Sequence, residues 1–228
     1  MAPPDVHTEQ DGTPVCGYLA EPSGVAAPGR RAGLIVIQEW WGLTPDLKEV
    51  ADRYAAEGYV ALCPDLYHGE VADEPDDARK RAMMLDRERA VEEILAGIRW
   101  LRAEHGVESI GVTGFCVGGS LTLEVALRPD AGINAAHAYY GGGQLTEEQV
   151  ATITVPVAGS FGSLDESIPR AQVDMIRATL ERVGTPNDVV MYEGARHAFF
   201  NPTRPAHHAE AAADSWRRAL DWWSRHLR

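Results

Sequence analysis

Gly114-Phe115-Cys116-Val117-Gly118-Gly119 follows directly on the apolar run Ser109 to Thr113 and precedes a helix-like stretch. A strand that turns into a helix within so few residues strains the backbone at the turn. The chain closes around that residue only where its neighbours, here Gly114 and Gly118, lack side chains. Cys116 is thereby a candidate nucleophile projecting into a cleft, with a thiol where serine is usual. The helix beginning just after it aims unpaired N–H groups at the site, favouring a thiolate and later a tetrahedral oxyanion. A cysteine among small residues also suits plain close packing, since cysteine is among the most often buried types. A phosphate loop fits worse: Gly111, Gly114, Gly118 and Gly119 do not match G-x-G-x-x-G, and no Gly-Lys-Ser/Thr follows.

Apolar runs alternate with helical patterns on both sides of this turn. Val15 to Ala20 reads as a strand of an N-terminal hairpin, and Glu21 to Arg31, rich in Pro, Gly and Ala, as a surface connection. Gly33 to Gln38 is a continuous apolar run of the kind found in parallel strands buried on both faces. Thr44-Pro45 supplies an N-cap and a first-turn proline, and Gly58 ends that helix before a strand at Tyr59 to Cys63. Asp65 to Asp77 mixes Gly, Pro and acids and is expected as an exposed loop over the site. One helical stretch through Glu104 follows, with Ile94, Ile98 and Leu101 at helical spacing. Ser120 to Leu127 continues as helix. Strands at Ile133 to Tyr140, Val155 to Phe161 and Val189 to Tyr192 alternate with helices at Ala171 to Val183 and His207 to His226. This alternation predicts an α/β fold, a doubly wound, mostly parallel sheet flanked by helices. At 228 residues, 45% of them hydrophobic, with no repeat or linker, one domain over 1–228 is expected.

A formal charge of −13, with arginines scattered among acids, opposes a phosphate backbone, so no nucleic-acid partner is expected. Met1 to Gln10 has prolines and acids where a signal peptide would be basic and then apolar. No apolar run is long enough for a bilayer, so the reading is a cytoplasmic protein without a membrane partner. Cys16, Cys63 and Cys116 are widely separated and form no C-x-x-C pair, which suits a reducing compartment.

Ligands of such sheets bind beyond the carboxyl ends of the strands. The polar residues found there are Glu39, Cys116, Asp165 in Gly162-Ser163-Leu164-Asp165-Glu166, and His197 in Glu193-Gly194-Ala195-Arg196-His197. Nucleophile, acid and histidine occur in the chain order of an α/β-hydrolase triad. Each residue alone has a plainer reading: Asp165 as a solvated or capping acid with Glu166 in its role, His197 as a structural histidine. Of the eight histidines, His7, His68, His105, His207, His208 and His226 lie in loops or on helical faces, and His137 within an apolar run. A zinc set from Cys116, His197, His207 and His208 lacks H-E-x-x-H, and adjacent histidines cannot both face one metal from a regular helix; no metal is expected.

Five segments in order resemble the signatures of the dienelactone hydrolase family: Gln38-Glu39-Trp40-Trp41-Gly42, the Cys116 hexapeptide, Tyr139-Tyr140-Gly141, Gly162-Ser163-Leu164-Asp165 with Pro169, and Glu193-Gly194-Ala195-Arg196-His197-Ala198-Phe199. The resemblance runs from about Val15 onward. It implies an α/β-hydrolase fold without metal or organic cofactor, Cys116 as nucleophile, His197 as general base and later acid, and Asp165 orienting His197. It also implies Glu39 as partner of the Cys116 thiol at rest, opposing thiolate formation until substrate displaces it. The backbone N–H groups of Trp40 and Val117 are expected to form the oxyanion hole. Trp40, Trp41, Tyr139, Tyr140, Phe199 and Phe200 are expected around the pocket, or as plain core. Members that hydrolyse dienelactone hold its carboxylate with arginines, one of them four residues after the catalytic histidine; Asn201 stands there, leaving Arg79, Arg81, Arg196 and Arg204 as replacements. The implied reaction is cysteine-dependent hydrolysis of a lactone or small ester through a thioester, as in opening an unsaturated lactone during aromatic compound degradation. A broad small-ester or thioester hydrolase, a non-catalytic ligand binder and a nucleotide-dependent oxidoreductase are the competing readings, and monomer and homodimer both stay open.

Overall fold

The computed structural model describes residues 5–23 and 31–227. β1 (Asp5–Gln10) and β2 (Thr13–Ala20) form the hairpin, closed by Asp11 and Gly12 at φ 53° and 81°. An Asp-Gly pair tolerates that left-handed backbone and matches the strand twist. Most of the connection expected over Glu21 to Arg31 lies outside the described residues. The chain then runs β3 (Arg31–Ile37), α1 (Pro45–Ala56), β4 (Val60–Pro64), α2 (Pro75–Met84), α3 (Arg87–His105), β5 (Val107–Phe115), α4 (Val117–Ala126) and β6 (Ala135–Tyr139). It ends with α5 (Glu147–Val150), β7 (Val157–Gly162), α6 (Arg170–Val183), β8 (Asn187–Tyr192) and α7 (Ala209–His226).

The sheet order is β1-β2-β4-β3-β5-β6-β7-β8, parallel from β4 to β8, with β1 and β2 antiparallel at one edge. This is the α/β-hydrolase fold. Alternate residues of β3 show why its apolar run is unbroken: Ile35 and Ile37 pack with Ile94 of α3 and Leu121 of α4, whereas Leu34 and Val36 pack with Tyr54 of α1 and Trp223 of α7. Period-two geometry sends each set to its own face, and both faces are covered.

Two local expectations change. The single helical stretch through Glu104 is two helices, because Leu85 is extended (φ −62°, ψ 118°) and Asp86 caps α3 by accepting the Arg89 N–H at 3.1 Å. Helix α2 also starts inside the expected loop, with Pro75 in its first turn. Thr44 holds the N-cap position of α1 without a side-chain capping bond.

Candidate active site

Cys116 sits between β5 and α4 at φ 58°, ψ −115°, a conformation costing on the order of 1–3 kcal/mol. A Cβ at Gly114 would lie 2.3 Å from the Gly118 carbonyl oxygen, and one at Gly118 only 2.5 Å from those of Ile37 and Gln38. The missing side chains thus let α4 press its N-terminus onto the ends of β3 and β5. Among the described residues, the Trp40 and Val117 N–H groups donate no backbone hydrogen bond; both residues line the cleft with Cys116.

Asp165, just past β7, has a fully buried side chain. Its Oδ1 accepts the N–H groups of Ser167 at 2.7 Å and Ile168 at 3.1 Å, and its Oδ2 lies 2.7 Å from His197 Nδ1. Glu166 is exposed, so Asp165 is the acid that meets the histidine. Burial opposes a charge on His197, yet hydrogen bonds with Asp165 and Cys116, reinforced by their charges, outweigh it and raise its pKa to about 10. With Nδ1 occupied, Nε2 is the ring nitrogen left for Cys116.

Glu39 is buried, and burial pushes its carboxyl above the usual range, with Asn201, Tyr140, Arg204 and His197 pulling the other way. The Tyr140 hydroxyl donates to its Oε1 at 3.2 Å and Asn201 Nδ2 to its Oε2 at 3.3 Å. Among the described residues Glu39 makes no hydrogen bond with Cys116. Each carboxylate oxygen accepts one such bond and retains a further lone pair, so these contacts do not stand in the way of the pairing with the thiol expected from the sequence.

The cleft has a volume of ≈ 840 Å³, and Trp40, Trp41 and Tyr140 line it. Tyr139 and Phe199 do not reach it. Tyr139, the last residue of β6, points into the core on the α7 side, stacks on Phe115 at 4.6 Å and donates to the Ser215 carbonyl at 3.2 Å. Phe199 is buried between Tyr140 and Tyr192. Phe200 faces a smaller cavity behind the cleft, beside Asn201 and Phe115. Of the four arginines, Arg79 and Arg204 line the cleft, Arg81 is tied to Glu70 and Asp77 beside a separate cavity, and Arg196 is exposed outside. The Arg204 guanidinium stacks 4.0 Å over Trp41, and its Nε is buried without a partner. Ala82 and Met83 of α2 and Arg87 of α3 also line the cleft. Sequence reasoning missed them because it took no account of the break at Leu85-Asp86. Among the described residues no group of three or more His, Cys, Asp or Glu is placed to hold a metal, and no helix is long and apolar enough to cross a membrane.

The same architecture recurs in known proteins. The crystal structure of a "Putative Dienelactone Hydrolase" from Klebsiella pneumoniae superposes with a TM-score of 0.85 at 28% identity, covering 98% of this chain and 99% of that one. Protein usf of Aquifex pyrophilus is 36% identical over 232 residues, 97% of this chain and 98% of its own. A protein of Aquifex aeolicus named "Putative carboxymethylenebutenolidase" is 33% identical, with 98% of each chain covered. The family model described as "Dienelactone hydrolase family" matches residues 15–227. A sheet of this order, carrying a strained turn at Cys116 and matched along nearly its full length, belongs to the dienelactone hydrolase family of hydrolases.

Proposed function

We propose that the protein hydrolyses a small carboxylic ester or lactone through a cysteine acyl-enzyme, with Cys116 as nucleophile, His197 as base and acid, and Asp165 orienting His197. The observation that carries this reading is the 2.7 Å contact of buried Asp165 with His197, beside a cysteine in the strained turn. The thiol proton passes to His197 Nε2 before the attack, in keeping with the raised pKa of that ring; sulfur then attacks the carbonyl carbon as a thiolate, and Nε2 gives the proton to the leaving alkoxide as the C–O bond breaks. Water, deprotonated by His197, then attacks the thioester carbon; collapse expels sulfur, releases the acid and restores the thiol. The N–H groups of Trp40 and Val117 stabilise the oxyanion in both steps. In a lactone the leaving alkoxide stays attached to the acyl chain. No step calls for a metal or organic cofactor.

Arg204, its buried Nε unpartnered in the wall of the cleft, supports a substrate that carries a carboxylate as well as the reacting ester. The test is hydrolysis of cis- and trans-dienelactone and of p-nitrophenyl acetate by wild type and Cys116→Ala. Turnover that disappears in the variant is expected. Full turnover in Cys116→Ala would refute the nucleophile, and no turnover of any of the three by wild type would favour a non-catalytic binder.

A further inference from the structure

Helix α2 stands between two cavities. Arg79, Ala82 and Met83, at helical spacing on one side of it, line the cleft that holds Cys116. Asp77, Lys80, Arg81 and Met84, on the other side, line a separate cavity of ≈ 400 Å³ against Tyr67 and the start of α3. Little fastens the helix itself. Of its ten residues only Ala78 is buried, and among the described residues neither of the two apolar clusters of the core contains a residue of α2. Its side-chain hydrogen bonds stay local: Arg79 with Asp76, and Arg81 with Asp77 and with Glu70 just ahead of the helix. These are surface ion pairs, which hold a helix only weakly.

The anchors lie just outside. Before α2, the Ala72 N–H donates to the Trp41 carbonyl at 2.9 Å. A Cβ at Gly42 would lie 2.7 Å from the Glu70 carbonyl oxygen, so this loop is seated on the turn that carries Trp40. After α2, Leu85 is extended and packs on the core, and Asp86 caps α3. The segment 73–84 is thus a flap between two fixed points, with open volume in front of it and behind it, so its motion compresses no packed atoms. Its last turn carries Met83 at 80% and Met84 at 73% exposure, and large apolar side chains left that bare gain from being covered. Met83 shares the cleft with Trp40, Trp41, Leu145 and Ile168.

We propose that α2 closes over the acyl-enzyme, and that Met83 is a specificity-determining residue that packs on the acyl chain. The inference rests on the reading of Cys116 as nucleophile and narrows its substrate. Hinged closure of a segment takes microseconds to milliseconds, and the acyl group is the part of the substrate that stays bonded to Cys116 long enough to be covered. An unbranched thioether follows chains of different shape. The class is therefore esters whose acyl group carries several apolar carbons for Met83, with the carboxylate that suits Arg204 elsewhere on the same group.

The test is hydrogen exchange of peptide 75–84, read by mass spectrometry on full-length protein alkylated at Cys116 with iodoacetamide or with N-hexyl iodoacetamide. The mass of the Cys116 peptide confirms the adduct, and only the second reagent leaves a hexyl chain in the cleft. Exchange in α2 is expected to be about tenfold slower in the hexyl adduct, the factor for covering much of one methionine side chain. Met83→Ala is expected to remove most of that protection, and Met84→Ala, the same change facing the separate cavity, to keep it. In turnover, the ratio of kcat/KM for p-nitrophenyl hexanoate to that for p-nitrophenyl acetate should fall about tenfold in Met83→Ala. Equal exchange in the two adducts overturns the proposal, and so does a ratio that Met83→Ala leaves unchanged. Loss of protection in both variants alike also overturns it, since that is the mark of a weakened helix. Both methionines are exposed and alanine is a strong helix former, so both variants are expected to fold. Exchange in the adducts needs no turnover, whereas failure of the nucleophile reading would appear as p-nitrophenyl acetate hydrolysis that survives Cys116→Ala.

Discussion

Replacing Asp165 by asparagine removes one charge and relocates one proton. Asp165 accepts three hydrogen bonds, two at Oδ1 from the Ser167 and Ile168 N–H groups and one at Oδ2 with His197 Nδ1. In Asp165→Asn the single oxygen must serve the two backbone donors, since turning the NH₂ toward them would bury donors against donors. The NH₂ then faces His197 Nδ1, which becomes an acceptor, and the ring proton moves to Nε2. That is the nitrogen required to take the thiol proton, so the histidine holds the wrong tautomer. The expected loss in kcat is about 10³–10⁴-fold, or roughly 4–5.5 kcal/mol of transition-state stabilisation. Stability moves in a defined direction too. A histidine raised from 6.5 to about 10 on folding contributes stability fully present below its unfolded pKa and lost as pH rises through its folded one. The variant should therefore show a smaller fall in Tm between pH 7 and pH 10 than wild type. The assays are p-nitrophenyl acetate turnover at saturating substrate and thermal unfolding across that range. A loss below about tenfold in kcat, with an unchanged pH slope of Tm, would refute the tautomer argument.

Three further outcomes are expected. Burial lowers the pKa of His137 from 6.5 to about 3, so the unfolded chain binds a proton that the folded one refuses. Stability should fall by about 2 kcal/mol between pH 7 and pH 5, as the unfolded histidine takes up its proton, and a denaturant series on wild type and His137→Gln should show the slope flattened in the variant. Arg204→Ala should reduce the preference for a carboxylate-bearing ester over p-nitrophenyl acetate by about tenfold or more, read as the ratio of kcat/KM values. Gly118→Ala places a methyl 2.5 Å from the Ile37 and Gln38 carbonyl oxygens, so it should lower Tm by an amount corresponding to about 1–3 kcal/mol and abolish most activity as α4 is pushed off the strand ends.

How much of the fold and site is legible in the sequence follows from how far apart the interacting groups lie in the chain. The elbow is local: Gly114 and Gly118 flank Cys116, and the same few residues that announce the turn also meet the steric constraint. Strand-end residues such as Asp165 and His197 are legible at second hand, because apolar runs mark the strands and parallel topology brings their carboxyl ends to one edge. The aromatic residues are harder, since Tyr139 and Tyr140 are chemically alike and only a change of backbone decides between them: Tyr139 ends β6 and enters the core, whereas Tyr140, at φ 38°, turns to the cleft. Hardest are the polar contacts near Glu39, since Glu39, Asp46, Tyr140, Asn201 and Thr203 come from three separate parts of the sequence with no shared spacing. Asn201 is visible in sequence only as the place where an arginine is missing. What it does there depends on which donors and acceptors surround it, and that is set by the packing of the loop after β8 against the first turn of α1. Motif logic thus locates the candidate reacting atoms, while the groups around them follow from side-chain hydrogen-bond accounting in three dimensions.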